Sequence, residues 1–164
     1  MIVVVADTSP LNYLIQIEYQ ELLPAMFEQI LIPTAVVNEL DHSGAPAVVR
    51  AFSRQMPQWI VVRQVRLTPD PTLATLDPGE REAIQLAREE HADLLLMDEK
   101  MGMRLARRQG LAVIGTLGIL VRAAQYGLVN IDVALARLRA TDFRCTPEVF
   151  EQARRLAEGK DRRS

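Results

Sequence analysis

Five short apolar runs punctuate the 164-residue chain: Ile2–Ala6, "QILIP" ending at Pro33, "WIVVRQV" beginning at Trp59, "DLLLM" ending at Met97, and "AVIG" ending at Gly115. None shows the polar–apolar alternation of a strand with one wet face, so each reads as a strand buried on both sides. Helical signals fill the intervals. Ser9-Pro10 reads as an N-cap and first helical residue, opening a helix to about Ile17, with a second helical piece through Phe27. Pro33 opens "PTAVVNELD", residues 46–55 read as helical, and "LTPDPTLATLDPG" is a proline-rich loop. Helices follow over "PGEREAIQLAREEH", over "EKMGMRLARRQG" with Gly110 as its C-cap, and over "TLGILVRAAQYG". Two more cover 131–140 and 147–158, the latter opened by Thr146-Pro147. Buried strands alternating with helices predict an α/β fold, a doubly wound and mostly parallel sheet with helices on both faces.

The length suits one domain over 1–164, with a core over about 1–125 and additional C-terminal helices over about 130–158. No apolar run is long enough to span a bilayer, and the start lacks the pattern of a secretory signal. Cys145 is alone, which excludes an internal disulfide and a cysteine-based metal site. Together these features predict a cytoplasmic protein without a membrane partner. Net charge is −2, so no global basicity advertises nucleic acid. Arginine is nevertheless clustered, at Arg104, Arg107 and Arg108 and in the tail "ARRLAEGKDRRS", and local positive fields steer polyanions even when net charge is near zero.

Two of the buried runs end on acids. Asp7 stands just beyond the first strand and Asp98 just beyond "LLLM". Ligands of open parallel sheets bind beyond the C-terminal strand ends, so the two carboxylates are placed on one edge. Each also has a local reading, as an acid accepting from the amides of the following helix. Glu80 lies within about 60° of Ala83, Ile84 and Ala87 on a helical wheel, the apolar face, where an unpartnered acid is costly. Asp77-Pro-Gly-Glu80 also has capping-box spacing, so Glu80 is read both as a cap and as a functional acid. Glu39 lies beside the stripe Val36, Val37, Leu40, where a solvated glutamate would look the same. Hard divalent cations such as Mg²⁺ or Mn²⁺ explain such a convergence, because they take oxygen ligands and bridge to phosphate.

"VVVADTSPL", "IPTAVVNEL", "LDPGEREAIQLA" and "ADLLLMDEKMGMRLARRQGLAVIGTLGIL" resemble, in this order, the motif blocks of the PIN-domain family, closest to its prokaryotic branch related to toxin–antitoxin ribonucleases. The resemblance covers roughly residues 1–125. It implies a Rossmann-like five-stranded sheet and a Mg²⁺- or Mn²⁺-dependent endoribonuclease acting on RNA, with a small antitoxin protein as partner. It places Asp7, Glu39, Glu80 and Asp98 on the acidic catalytic and metal-binding positions, and Ser9 on the hydroxyl after the first acid. Many members carry aspartate at the third position, where this chain has Glu80. Glu99 is placed to replace or assist Asp98, and Thr116 to bind phosphate together with the helix amides behind it. Arg104, Arg107 and Arg108 are candidates for holding the RNA backbone.

An aspartyl-nucleophile phosphatase would want a second Asp where Ser9 stands, and a signal receiver a pair of acids after its first strand. A non-catalytic binding module of the same fold is the remaining alternative. Aromatic residues are few, so few stacking platforms for bases are expected. His42 and His91 lack metal-ligand companions, and Met97, Met101 and Met103 read as core filler or contact surface. The apolar face of "IDVALARL" is a candidate homodimer contact.

Overall fold

Alternate residues of each strand feed opposite cores. In the computed structural model, which describes residues 2–159, the strands are β1 (Val4–Ala6), β2 (Ile30–Pro33), β3 (Ile60–Arg63), β4 (Leu94–Leu96) and β5 (Val113–Ile114). They form one all-parallel sheet in the order β3-β2-β1-β4-β5. Val4, Ala6, Ile30, Ile32, Leu94 and Leu96 face one core, while Val5, Leu31, Leu95 and Val113 face the other. This is the period-two geometry of a pleated strand. Both faces of the inner strands β1, β2 and β4 are covered, whereas the edge strand β3 leaves Val62 and Arg63 exposed, contrary to the expectation of burial on both sides.

The first core is closed by α1 (Thr8–Gln16), α2 (Leu22–Phe27), α3 (Thr34–Leu40), α4 (Ala47–Arg54), α7 (Thr116–Gln125), α8 (Ile131–Arg139) and α9 (Pro147–Gly159). The second is closed by α5 (Pro78–Glu89) and α6 (Lys100–Arg108). A 3₁₀ turn, Pro71–Leu73, sits inside the proline-rich loop and buries Leu73. Gly110 follows α6 at φ +83°, a left-handed residue that ends the helix as glycine does cheaply.

The chain steps outward from β1 to β2 and β3, then crosses back through α5 to β4 on the other side of β1. The order reverses between β1 and β4. Crevices at the C-terminal ends of strands flanking such a reversal are where open α/β sheets bind ligands.

Two further details differ from the sequence reading. The first helix begins at Thr8, with Asp7 rather than Ser9 in the N-cap position, because backbone pairing ends only with the Asp7 amide donating to the Leu96 carbonyl at 2.9 Å. Ser9 is thereby drawn into the first turn, with its side chain free to reach sideways. The apolar stripe of α8, Ile131, Ala134, Leu135 and Leu138, is buried in the chain's own core beside Phe150 and Ala157 of α9, so a homodimer contact cannot use it. Of the basic tail, Lys160, Arg162 and Arg163 lie outside the described residues.

Among the described residues no helix is long and apolar enough to cross a membrane.

Candidate active site

The acids of four separate segments meet over the β1–β4 reversal. Asp7 leaves β1, Asp98 leaves β4 after Met97, Glu39 comes from the last turn of α3, and Glu80 from the first turn of α5. All four line one cleft of about 450 Å³, together with Thr8, Ser9, Asn12, Asp77, Glu99 and the aromatic residues Tyr13 and Phe143. A second hollow shares Thr8, Asn12 and Glu39 with it and continues toward His42 and Pro46. Six carboxylates line the cleft against one cation, Arg144.

Their surroundings separate the acids sharply. Asp98 is held by three donors: the Thr116 amide at 2.7 Å on Oδ1, and the hydroxyls of Thr116 at 2.7 Å and Ser9 at 2.9 Å on Oδ2. Thr116 opens α7 and is fully buried, so its hydroxyl and amide are engaged by Asp98 rather than standing open to a phosphate. Gly115 makes room for this grip. A Cβ there would lie 2.5 Å from Asp98 Oδ1.

Asp7 is 3 % exposed, and its Oδ1 is buried with no hydrogen-bond partner among the described residues. Burial pushes its carboxyl well above the usual carboxylate range, against the Thr8 amide, and the charges of Asp77, Glu80 and Glu39 push the same way. Glu39 accepts from the Thr8 hydroxyl at 2.9 Å on Oε1, while its Oε2 is buried with no hydrogen-bond partner among the described residues. Burial raises it too, opposed by the Thr8 hydroxyl and the Gly79 amide and reinforced by the charges of Asp77 and Glu82. Gly79, in the first turn of α5, is buried under this carboxylate, and any Cβ there would fall on the Glu39 oxygens.

Glu80 closes a complete capping box. Its amide donates to Asp77 Oδ1 at 2.8 Å, and its own Oε2 accepts from the Asp77 amide at 3.2 Å. The local reading of this glutamate is therefore correct, and the residue also faces the cleft. Burial, followed by the charge of Asp77, pushes its carboxyl up to about 7. Glu99 is exposed and caps α6, accepting from the Gly102 amide at 2.6 Å on Oε2.

The PIN-domain family model DUF3368 matches residues 3–159. The chain belongs to the PIN-domain family. The match runs through α8 and α9, which the motif blocks alone set apart as an addition. PIN domains are a nuclease-type family and typically depend on divalent metal. A solved PilT N-terminus domain protein from the hyperthermophilic archaeon Sulfolobus solfataricus P2 is similar in fold, with a TM-score of 0.55 and 22 % identity over 74 % of this chain and 93 % of that one. No curated protein matches the sequence.

For this PIN domain the donor set can be tested against a hard cation. As arranged, no three carboxylates among the described residues stand close enough to enclose one ion. Mg²⁺ needs less than that, since it keeps several waters and takes one or two carboxylates. Asp7 Oδ1 and Glu39 Oε2 supply the chemistry it wants: buried acid oxygens with no hydrogen-bond partner among the described residues. The residues fit.

The arginines nominated from sequence do not join them. Arg104, Arg107 and Arg108 line a separate hollow with Lys100 and Met103, on the helix that runs away from the acidic edge. Arg107 instead donates to the Val113 carbonyl at 3.4 Å. The cation at the cleft is Arg144, and the aromatics are Tyr13 and Phe143; two of these three come from the α8–α9 connection. No local pattern marks that connection as part of a site.

Proposed function

We propose that this PIN domain is a metal-dependent endoribonuclease, hydrolysing phosphodiester bonds of RNA at the cleft over β1 and β4. The observation that carries the reading is the pair of buried, unpartnered carboxylate oxygens on Asp7 and Glu39, next to an open groove. A buried acid without a partner is expensive, and the expense is relieved by a cation or a proton. Asp7 and Glu39, with Glu80 and Asp98 beside them, would hold Mg²⁺ or Mn²⁺, which when bound neutralises phosphoryl oxygens and acidifies water. Ser9 and Thr116 fix the Asp98 carboxylate in orientation, so that no rotamer freedom is lost when substrate arrives. Thr8 does the same for one oxygen of Glu39. Glu80, half-protonated near neutral pH, can take or release a proton at its carboxyl while still capping α5. Because the acids hold protons that a cation must displace, Mn²⁺ affinity should rise with pH between about 5.5 and 7.5.

Cleavage of single-stranded RNA tests the reading. Purified protein should cut with Mg²⁺ or Mn²⁺ and stop on chelation, and Asp7→Asn should lose most of the activity while staying folded. Equal cleavage by wild type and Asp7→Asn would assign the activity to a contaminant and leave a non-catalytic module. The toxin role, with a small antitoxin as partner, extends this reading. Growth arrest on expression, relieved by the protein of a neighbouring reading frame, would support it, and expression without arrest would count against it.

A further inference from the structure

The acidic cleft has a wall that the nuclease chemistry does not use. It is built by the connection between α8 and α9, residues 140–146, and by Tyr13 of α1. Phe143 packs edge-on to Tyr13 at 5.1 Å and 89° and against Phe150 of α9 at 6.4 Å, so two neighbours fix its ring in place. The Tyr13 hydroxyl donates to Asp142 and lies within the field of Arg144. Arg144 itself is exposed, and among the described residues no ion pair or hydrogen bond pins its guanidinium. Arg144 is the cation lining a cleft that also carries six carboxylates. It is the group available to draw a polyanion across an acidic surface.

We propose that residues 140–146 form the substrate arm of this site, with Arg144 taking a backbone phosphate of RNA beside the reacting one and the Tyr13–Phe143 wall taking the adjoining unpaired base. The inference rests on the nuclease reading for the identity of the reacting phosphate. Each part follows from chemistry. A guanidinium matches phosphate in a bidentate fork and carries no sequence preference. The two rings stand perpendicular, so a single ring face is what a base would meet, and such a face accepts any base that is free of a partner and rejects bases locked inside a duplex. The arm therefore selects single strands without reading their sequence.

The test compares wild type, Arg144→Ala, Phe143→Leu and Phe143→Tyr, using a ten-nucleotide labelled RNA, single-stranded or annealed to its complement. Cleavage kinetics are measured with Mn²⁺, and binding is measured in the Asp7→Asn background, where cleavage does not intrude. Arg144→Ala should raise KM about tenfold with kcat little changed, and should lower the slope of log affinity against log salt by about 0.7. Phe143→Leu should weaken single-strand binding roughly tenfold, and Phe143→Tyr, which keeps the ring, should restore it. The duplex should be a poor substrate for every variant.

If wild type cleaves and both Arg144→Ala and Phe143→Leu match it in KM and salt slope, the arm is wrong and the nuclease reading stands. A loss confined to kcat for Arg144→Ala would likewise overturn the arm, assigning the arginine to the field around the acids. Wild type that binds RNA through Arg144 but cuts nothing would remove the nuclease reading and keep the arm. No binding to RNA at all removes both. Equal cutting of duplex and single strand overturns the aromatic part.

Discussion

Asp7 and Asp98 leave neighbouring parallel strands at the same sheet edge, one residue beyond β1 and two beyond β4, yet they occupy opposite surroundings. Asp98 is gripped by an amide and two hydroxyls, under a glycine that makes room for it. Asp7 is more deeply buried and has an oxygen without a donor. The difference separates two kinds of acid that sequence position alone makes equivalent. One is stabilised by the fold and in turn ties β4 to α1 and α7. The other destabilises the fold until something positive reaches it.

Truncating the gripped acid should therefore have the larger effect on folding. Asp98→Ala strands the buried Thr116 hydroxyl and the first amide of α7, and should lower stability by about 2–4 kcal/mol, measured by urea unfolding in EDTA. An effect under about 0.5 kcal/mol would show that those three hydrogen bonds contribute nothing net.

Next comes the room beside each acid. Gly115→Ala puts a Cβ 2.5 Å from Asp98 Oδ1, in contact with a carboxylate that cannot swing away without leaving its donors. It should cost about 1–3 kcal/mol by overpacking. Gly79→Ala crowds the Glu39 carboxylate, which rests on the Thr8 hydroxyl and the Gly79 amide, and should depress Mn²⁺ binding more than stability. The reverse ranking would mean that Glu39, not Asp98, anchors the edge.

A smaller effect follows from pH. Glu80 shifts from its ordinary 4.5 to about 7, so between these values the folded chain binds more protons than the unfolded one. Stability of the metal-free protein must then fall as pH rises through that window, the opposite of an ion-paired acid. Asp7 and Glu39, both raised, add to the same slope. Melting temperatures in EDTA should drop from pH 5 to pH 7.5, and Glu80→Gln should flatten part of the drop while keeping a capping box. Ser9→Ala, which removes one of three donors to Asp98, should be smallest, about 0.5–1.5 kcal/mol.

Much of this was legible in the chain. Apolar runs placed all five strands to within a residue or two, the three inner ones because a doubly covered parallel strand tolerates no polar alternation, whereas the edge strand β3 leaves Val62 and Arg63 exposed. Asp7 and Asp98 were placed on one edge by the same argument. What stayed hidden was tertiary. Gly115 and Gly79 have ordinary backbone angles, so only the carboxylate beside each accounts for them. Asp77-Pro-Gly-Glu80 showed its capping box, but not that burial would push Glu80 up. The arginines of α6 were drawn to the acids by closeness in sequence, although α6 starts at the acidic edge and runs away from it. Phe143 and Arg144 are about 45 residues from Asp98 and reach the cleft only because α8 and α9 fold back over α7.

The account turns on Asp7 being an acid kept for a divalent cation. Its direct test is the melting temperature of wild type and Asp7→Asn at pH 8, each with EDTA and with excess Mn²⁺. Wild type should gain about 2.7 kcal/mol of stability at a hundredfold excess of Mn²⁺ over its dissociation constant. Asp7→Asn should melt above wild type in EDTA, because a neutral amide is cheaper to bury than an unpartnered carboxylate, and should gain little from Mn²⁺. An Asp7→Asn protein that melts lower than wild type in EDTA and keeps the full Mn²⁺ response would contradict it, making Asp7 a structural residue of the β1–α1 turn.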